Sequence, residues 1–198
     1  MKVRLGILIS GRGSNMEALI RACADPEFPA EIMTVISNKA DAPGLQKAEK
    51  LGIKTLRIDQ KNYTDRIGFE HALNKALIHN QIELICLAGF MKILSPEFVN
   101  SWSDRIINIH PSLLPDYPGL DTYARTLADG KTESGCTVHY VIPEMDAGPV
   151  ILQRRVPIVE NDTPDTLADR ILVEEHIAYP EAVRIVAEKL LNSGTIRR

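Results

Sequence analysis

Val3-Arg4-Leu5-Gly6-Ile7-Leu8-Ile9-Ser10-Gly11-Arg12-Gly13-Ser14-Asn15 is an apolar run that stops at a glycine-rich turn. Residues 3–9 read as a strand. Apolar side chains at nearly every position, and not at alternate ones, suit a strand covered on both faces. Helical spacing follows from about Asn15 to Ala24. A buried strand, a tight turn and a helix make the opening of a βα unit, which returns the chain to a parallel strand.

The same order recurs downstream. Ile32–Ile36 is β-branched and strand-like, and Pro43 and Gly52 punctuate the two ends of a helix. Residues 54–58 suit a third strand. Asp65 to Asn80 places Ile67, His71, Asn74 and Ile78 near one stripe, with Phe69, Leu73 and Leu77 beside it, which predicts a helix. Ile82–Ala88 and Ile106–Ile109 are further apolar strands. The expected fold is α/β, a mostly parallel sheet with helices on both faces, in one domain over residues 1–198. The later part differs. Residues 135–142 and 150–158 are strand-like and joined by Pro143-Glu-Met-Asp-Ala-Gly-Pro149, as a hairpin or as two strands around a wide loop. Thr163-Pro164 then opens a long helix, which Pro180 is expected to kink or break.

Composition narrows the function classes. With 23 basic and 26 acidic residues the net charge is -3, so no basic excess points to nucleic acid. The apolar run at residues 1–9 is too short for a signal peptide, and no stretch approaches the ~18–20 apolar residues of a membrane helix. Three widely spaced cysteines, Cys23, Cys86 and Cys136, argue against a disulfide framework and suit a reducing cytoplasm.

In parallel sheets ligands sit beyond the carboxyl ends of the strands. Three loops with unusual chemistry stand there: residues 10–15, 89–94 and 110–115. Gly11-Arg-Gly-Ser-Asn15 could cradle one phosphate on backbone N–H groups at a helix start, or be an ordinary βα turn. Met16 replaces the third glycine of a dinucleotide fingerprint, and no P-loop lysine follows. Asn108, an amide inside an apolar strand, is either a satisfied structural residue or a donor to an oxyanion. His110 ends that strand before Pro111; it could be a general acid or base, or merely a solvated strand end. Asp146 is a turn residue unless its loop folds back on His110, where a carboxylate would favour the imidazolium. His71, His79, His139 and His176 read as structural, without metal-ligand spacing. Ser112, two residues from His110 and without a Gly-x-Ser-x-Gly elbow, does not make a hydrolase.

Ser10-Gly-Arg-Gly-Ser-Asn15, Ser37-Asn-Lys-Ala-Asp41, Ala88-Gly-Phe-Met-Lys-Ile-Leu-Ser95, Asn108-Ile-His-Pro-Ser-Leu-Leu-Pro115, Tyr117-Pro-Gly119 and Asp146-Ala-Gly148 occur in order. Together they closely resemble the phosphoribosylglycinamide formyltransferase family, folate-dependent enzymes of purine synthesis, over essentially the whole chain. The resemblance implies a Rossmann-like formyltransferase fold, with a mononucleotide-binding part at about 1–100 and a folate-binding, catalytic part at about 101–198. It implies formyl transfer from 10-formyltetrahydrofolate to the amine of glycinamide ribonucleotide, two small-molecule substrates, by a cytoplasmic monomer or homodimer that needs no metal. It further implies that Gly13, Ser14 and Asn15 hold the substrate phosphate and Glu175 the ribose hydroxyls. Arg66 and Met91, Lys92, Ile93 and Leu94 would bind the folate, Asn108 contributing, while Asn108, His110 and Asp146 form the catalytic trio. Asp121 and Tyr123 stand where some members carry histidines, and Leu172 replaces a polar contact. A formyltetrahydrofolate hydrolase or another folate-dependent formyltransferase is the alternative enzyme; a phosphate-ligand binding module is the non-enzymatic one.

Overall fold

The computed structural model of the chain describes residues 1–194. Strand β1 (Val3–Ile9) leads to α1 (Ser14–Cys23), β2 (Ala30–Ser37), α2 (Pro43–Lys50), β3 (Thr55–Arg57) and α3 (Arg66–His79). Then follow β4 (Leu84–Leu87), α4 (Pro96–Ser101), β5 (Ile106–His110), α5 (Thr122–Ala128), β6 (Glu133–Tyr140), β7 (Val150–Pro157) and α6 (Pro164–Asn192). All seven strands form one sheet in the order β3-β2-β1-β4-β5-β6-β7. The first five are mutually parallel, and β6 and β7 are antiparallel to their neighbours. The expected α/β sheet with helices on both faces is what forms, and β6 and β7 resolve as an antiparallel pair around residues 141–149.

β1 shows why the sheet is covered twice. Val3, Leu5, Ile7 and Ile9 enter a core shared with α1, α2 and α6, whereas Leu8 joins a second core with α3 and α4. Gly6 lies on the second face, where an added Cβ would stand 3.0 Å from Leu77 and 3.1 Å from Ile82. Its missing side chain lets α3 pack close to the strand. Because β1 sits between β2 and β4, the loops leaving β1 and β4 diverge over opposite halves of the sheet, which opens a cleft at their carboxyl ends.

α6 corrects one expectation. Thr163 caps it in a capping box with Thr166, and Pro164 fills its first turn, as the sequence indicates. The helix nevertheless runs through Pro180 without interruption to Asn192. An interior proline forfeits one hydrogen bond, at a cost of ~3 kcal/mol. Ala178, Tyr179, Ala182 and Val183 flank it and are fully buried in the first core. Burial on both sides offsets that cost and carries the helix past the proline without a break. The short helices α4 and α5 have no counterpart in the sequence reading; each is too brief to show a hydrophobic period.

Candidate active site

Alternation along β5 sends Ile107 and Ile109 into the first core and leaves Asn108 and His110 on the opposite face. β6 is registered so that Asn108 pairs with His139 and His110 with Thr137. Cys136 and Val138 point into the first core, so Thr137 and His139 share the face of Asn108 and His110. Two strands thus set four polar side chains in a square beside the cleft. Thr137 is wholly structural: its Oγ donates to the Ser112 carbonyl at 2.7 Å and accepts from Leu114 N–H at 3.0 Å, shaping the turn after β5. Ser112 is fully buried and donates to the Asp116 carbonyl at 2.6 Å, which makes it a turn residue and not a nucleophile.

The loop of residues 141–149 folds back over this square. Tyr140 N–H donates to the Pro149 carbonyl at 2.9 Å and closes it. Any Cβ on Gly148 would overlap the Tyr140 carbonyl oxygen, so only glycine permits the closure. The result is that Asp146, at φ 52°, reaches both histidines. One carboxylate oxygen accepts Gly119 N–H at 2.8 Å and lies 3.5 Å from His110 Nδ1; the other lies 3.7 Å from His139 Nε2. His110 Nε2 is 2.9 Å from the Tyr117 carbonyl. A carbonyl and a carboxylate can only accept, so His110 has an acceptor group beside each ring nitrogen.

His139 is the residue the sequence reading set aside as structural. It is 2% exposed, and burial pushes its imidazole down from the usual range, with the Tyr140 carbonyl and Asp146 opposing. Nδ1 lies 2.9 Å from the Tyr140 carbonyl and must carry the proton there. Nε2 of the neutral ring is therefore an acceptor, and Asn108 Nδ2 stands 3.3 Å from it. One amide hydrogen of Asn108 is held by His139, and the second remains for a ligand. Only the register of β5 on β6 reveals this role; a lone histidine on a strand carries no such signal.

A second group lies at the start of α1. Gly13 caps that helix at φ 72°, and the Gly44 N–H donates to the Gly11 carbonyl at 3.0 Å, bracing the turn from α2. A Cβ on Gly13 would meet Met16 at 3.0 Å and the Gly44 Cα at 3.1 Å. The glycine is thus required by its left-handed backbone and by packing inward. Asn15 Nδ2 donates to Glu175 at 2.7 Å, joining α1 to α6. Asn15 Oδ1 is buried without a partner, and Glu175 is 6% exposed, its carboxyl pushed up by burial. Asn15 Oδ1 is thus a buried acceptor beside the Glu175 carboxyl that a ligand hydroxyl or amine hydrogen would satisfy. Tyr123 is half-buried beside Glu175 and Arg12, with its phenol pushed up by burial, whereas Asp121 is exposed at φ 57° before α5.

The remaining candidates line the loop after β4. Met91, Lys92 and Ile93 are exposed, and Leu94 is buried in the second core beneath them. Arg66 is exposed in the first turn of α3. Among the described residues no group of three or more histidine, cysteine, aspartate or glutamate side chains could hold a metal, and no helix is long and apolar enough to cross a membrane.

The Formyl transferase family model matches residues 3–183. The chain is 42% identical to the phosphoribosylglycinamide formyltransferase of Escherichia coli, over 92% of this chain and 86% of that protein. It is 50% identical to a trifunctional purine biosynthetic protein adenosine-3 of Chironomus tentans, over 99% of this chain, and spans 14% of that much longer protein. The crystal structure of phosphoribosylglycinamide formyltransferase from Brucella melitensis superposes with a TM-score of 0.91 at 48% identity, covering 94% of this chain and 96% of that one.

Proposed function

Since the chain belongs to the formyl transferase family, we propose that it transfers a formyl group from 10-formyltetrahydrofolate to the amine of N1-(5-phosphoribosyl)glycinamide in purine synthesis. The observation that supports this reading is that Asp146 approaches His110 to 3.5 Å while Asn108 shares the face of β5 with His110. These residues stand at the carboxyl end of β5, near the strand ends where the α1 turn and the loop after β4 begin. Gly13, Ser14 and Asn15 offer a helix N-terminus to the phosphate. Asn15 Oδ1 and Glu175 are paired acceptors for the ribose hydroxyls. Met91, Lys92, Ile93 and Leu94, with Arg66, form the folate side. The whole acts as one unit on two small substrates, in the cytoplasm, as a monomer or homodimer; three free cysteines suit that compartment.

The substrate amine attacks the formyl carbon and creates a tetrahedral oxyanion. The free amide hydrogen of Asn108 donates to it, and His110 does so once one ring N–H exchanges the acceptor it faces in this structure for the oxyanion, a contribution of ~10²–10³ in rate for each such donor. The amine sheds a proton, and the folate nitrogen gains one to leave. The Asp146 and His110 pair carries that proton, directly or through an ordered water, which adds ~10²–10⁴.

An assay with both substrates, omitting each in turn, tests the reading. Formylated ribonucleotide should appear only when both are present. Release of formate from the folate without the amine would mark a hydrolase instead.

A further inference from the structure

Ser10 immediately precedes the α1 turn, yet its bonds run elsewhere. It is 4% exposed, and its hydroxyl donates to Asn38 Oδ1 at 2.6 Å. The same oxygen accepts the backbone N–H of Met91 at 2.8 Å, and the Ser10 N–H donates to the Gly89 carbonyl at 3.0 Å. Asn38 is 2% exposed and passes the chain on, its Nδ2 donating to Gln60 at 3.1 Å. Gln60 lies on the segment that leads into α3 and Arg66. One hydroxyl therefore ties the end of β1 to the loop after β4, and through Asn38 to the segment before α3.

We infer that Ser10 is a positioning residue for the folate loop, set by Asn38, although it abuts the nucleotide loop in sequence. Met91 is exposed at its side chain and fixed only at its backbone. Without the hydroxyl its N–H loses its partner, and Asn38 Oδ1 loses its donor. A buried polar group left unpaired is costly, so the loop moves to water instead of keeping its geometry. The turn at Gly11–Gly13 is braced separately by Gly44 and keeps its shape. The inference rests on residues 91–94 being the folate side.

Ser10→Ala in the full chain should raise the KM for 10-formyltetrahydrofolate about tenfold, equal to ~1.4 kcal/mol. The KM for the ribonucleotide should stay within about twofold and kcat within about threefold. Asn38→Ala should shift the same KM in the same direction. Ser10→Cys keeps the size but is a poor acceptor, and it should do likewise should Ser10→Ala not fold. A rise in the ribonucleotide KM alone, an equal rise in both, or no rise at all overturns the inference. Ile93→Ala and Lys92→Ala separate the two failures. If they raise the folate KM while Ser10→Ala does not, only the positioning role falls; if they also leave it unchanged, the assignment of that loop falls with it.

Discussion

Asn108 and His139 face each other across the β5–β6 pair, and the His139 ring turns its unprotonated nitrogen toward the Asn108 amide. An amide can flip about its last torsion and present oxygen or nitrogen to the cleft. His139 decides which, because a bare ring nitrogen can only accept. His139→Ala should lower kcat about 10–100-fold while both KM values move less than about threefold, the pattern of an interaction realised in the transition state. Steady-state kinetics with each substrate varied gives the split; a rise confined to either KM would contradict it.

His110 and Asp146 should behave as one device. His110→Ala should reduce kcat at least ~10²-fold with little change in stability. Asp146→Asn keeps an oxygen for the Gly119 N–H, the same one that faces His110, but removes the negative charge there and turns its NH2 toward His139 in competition with Asn108, and it should cost a similar factor. Once His110 is gone, Asp146→Asn should cost little more. A double variant slower by the full product of the two single effects would show that they act independently.

Glu175 gives a pH signature. Its carboxyl is raised above 4.5 by burial in the folded protein, so the folded chain holds that proton longer than the unfolded chain. The associated stability is present below the unfolded value and is lost as pH rises through the folded one. At neutral pH the burial of Glu175 therefore costs stability, and Glu175→Gln should remove the cost while still accepting from Asn15. Thermal midpoints should coincide near pH 4 and diverge at pH 7.5 in favour of the variant, by about 2–4 °C for each kcal/mol. Ribonucleotide KM should rise, since the amide is a weaker acceptor for hydroxyls. A variant less stable at pH 7.5 would refute the sign.

Gly13→Ala probes the α1 turn. Its methyl would enter a left-handed residue and press on Met16 and Gly44. A cost of ~1–2 kcal/mol follows for the backbone alone, and the ribonucleotide KM should rise with the folate KM little changed. Denaturant titration and kinetics together measure both. A fully stable variant with normal KM values would mean that the turn tolerates the side chain.

Much of this was legible because the local physics was strong. The apolar strands of the parallel half, the Pro43 and Thr163-Pro164 helix starts and the glycine turn after β1 each carry their own signal. Asn108 and His110 stood out as polar residues in and after an apolar strand. What escaped depends on partners distant in sequence. His139 acquires meaning only opposite Asn108, and Ser10 only beneath Met91. Pro180 does not break its helix because the core holds it on both sides, which no local propensity records.

The sheet also sets two very different spans of closure. β6 and β7 are adjacent in the chain, with His139 against Val150, so the loop that carries Asp146 closes over a short span. β1 pairs with β4, where Leu5 meets Leu84 across most of the parallel half. Loop closure grows costlier with span, and non-local strand pairing is slow. The carboxylate beside His110 is thus seated on an antiparallel ribbon of local pairing, while the turn ending β1 reaches the β4 loop only through a distant one. The entropy of closure therefore weighs lightly on one wall of the cleft and heavily on the other.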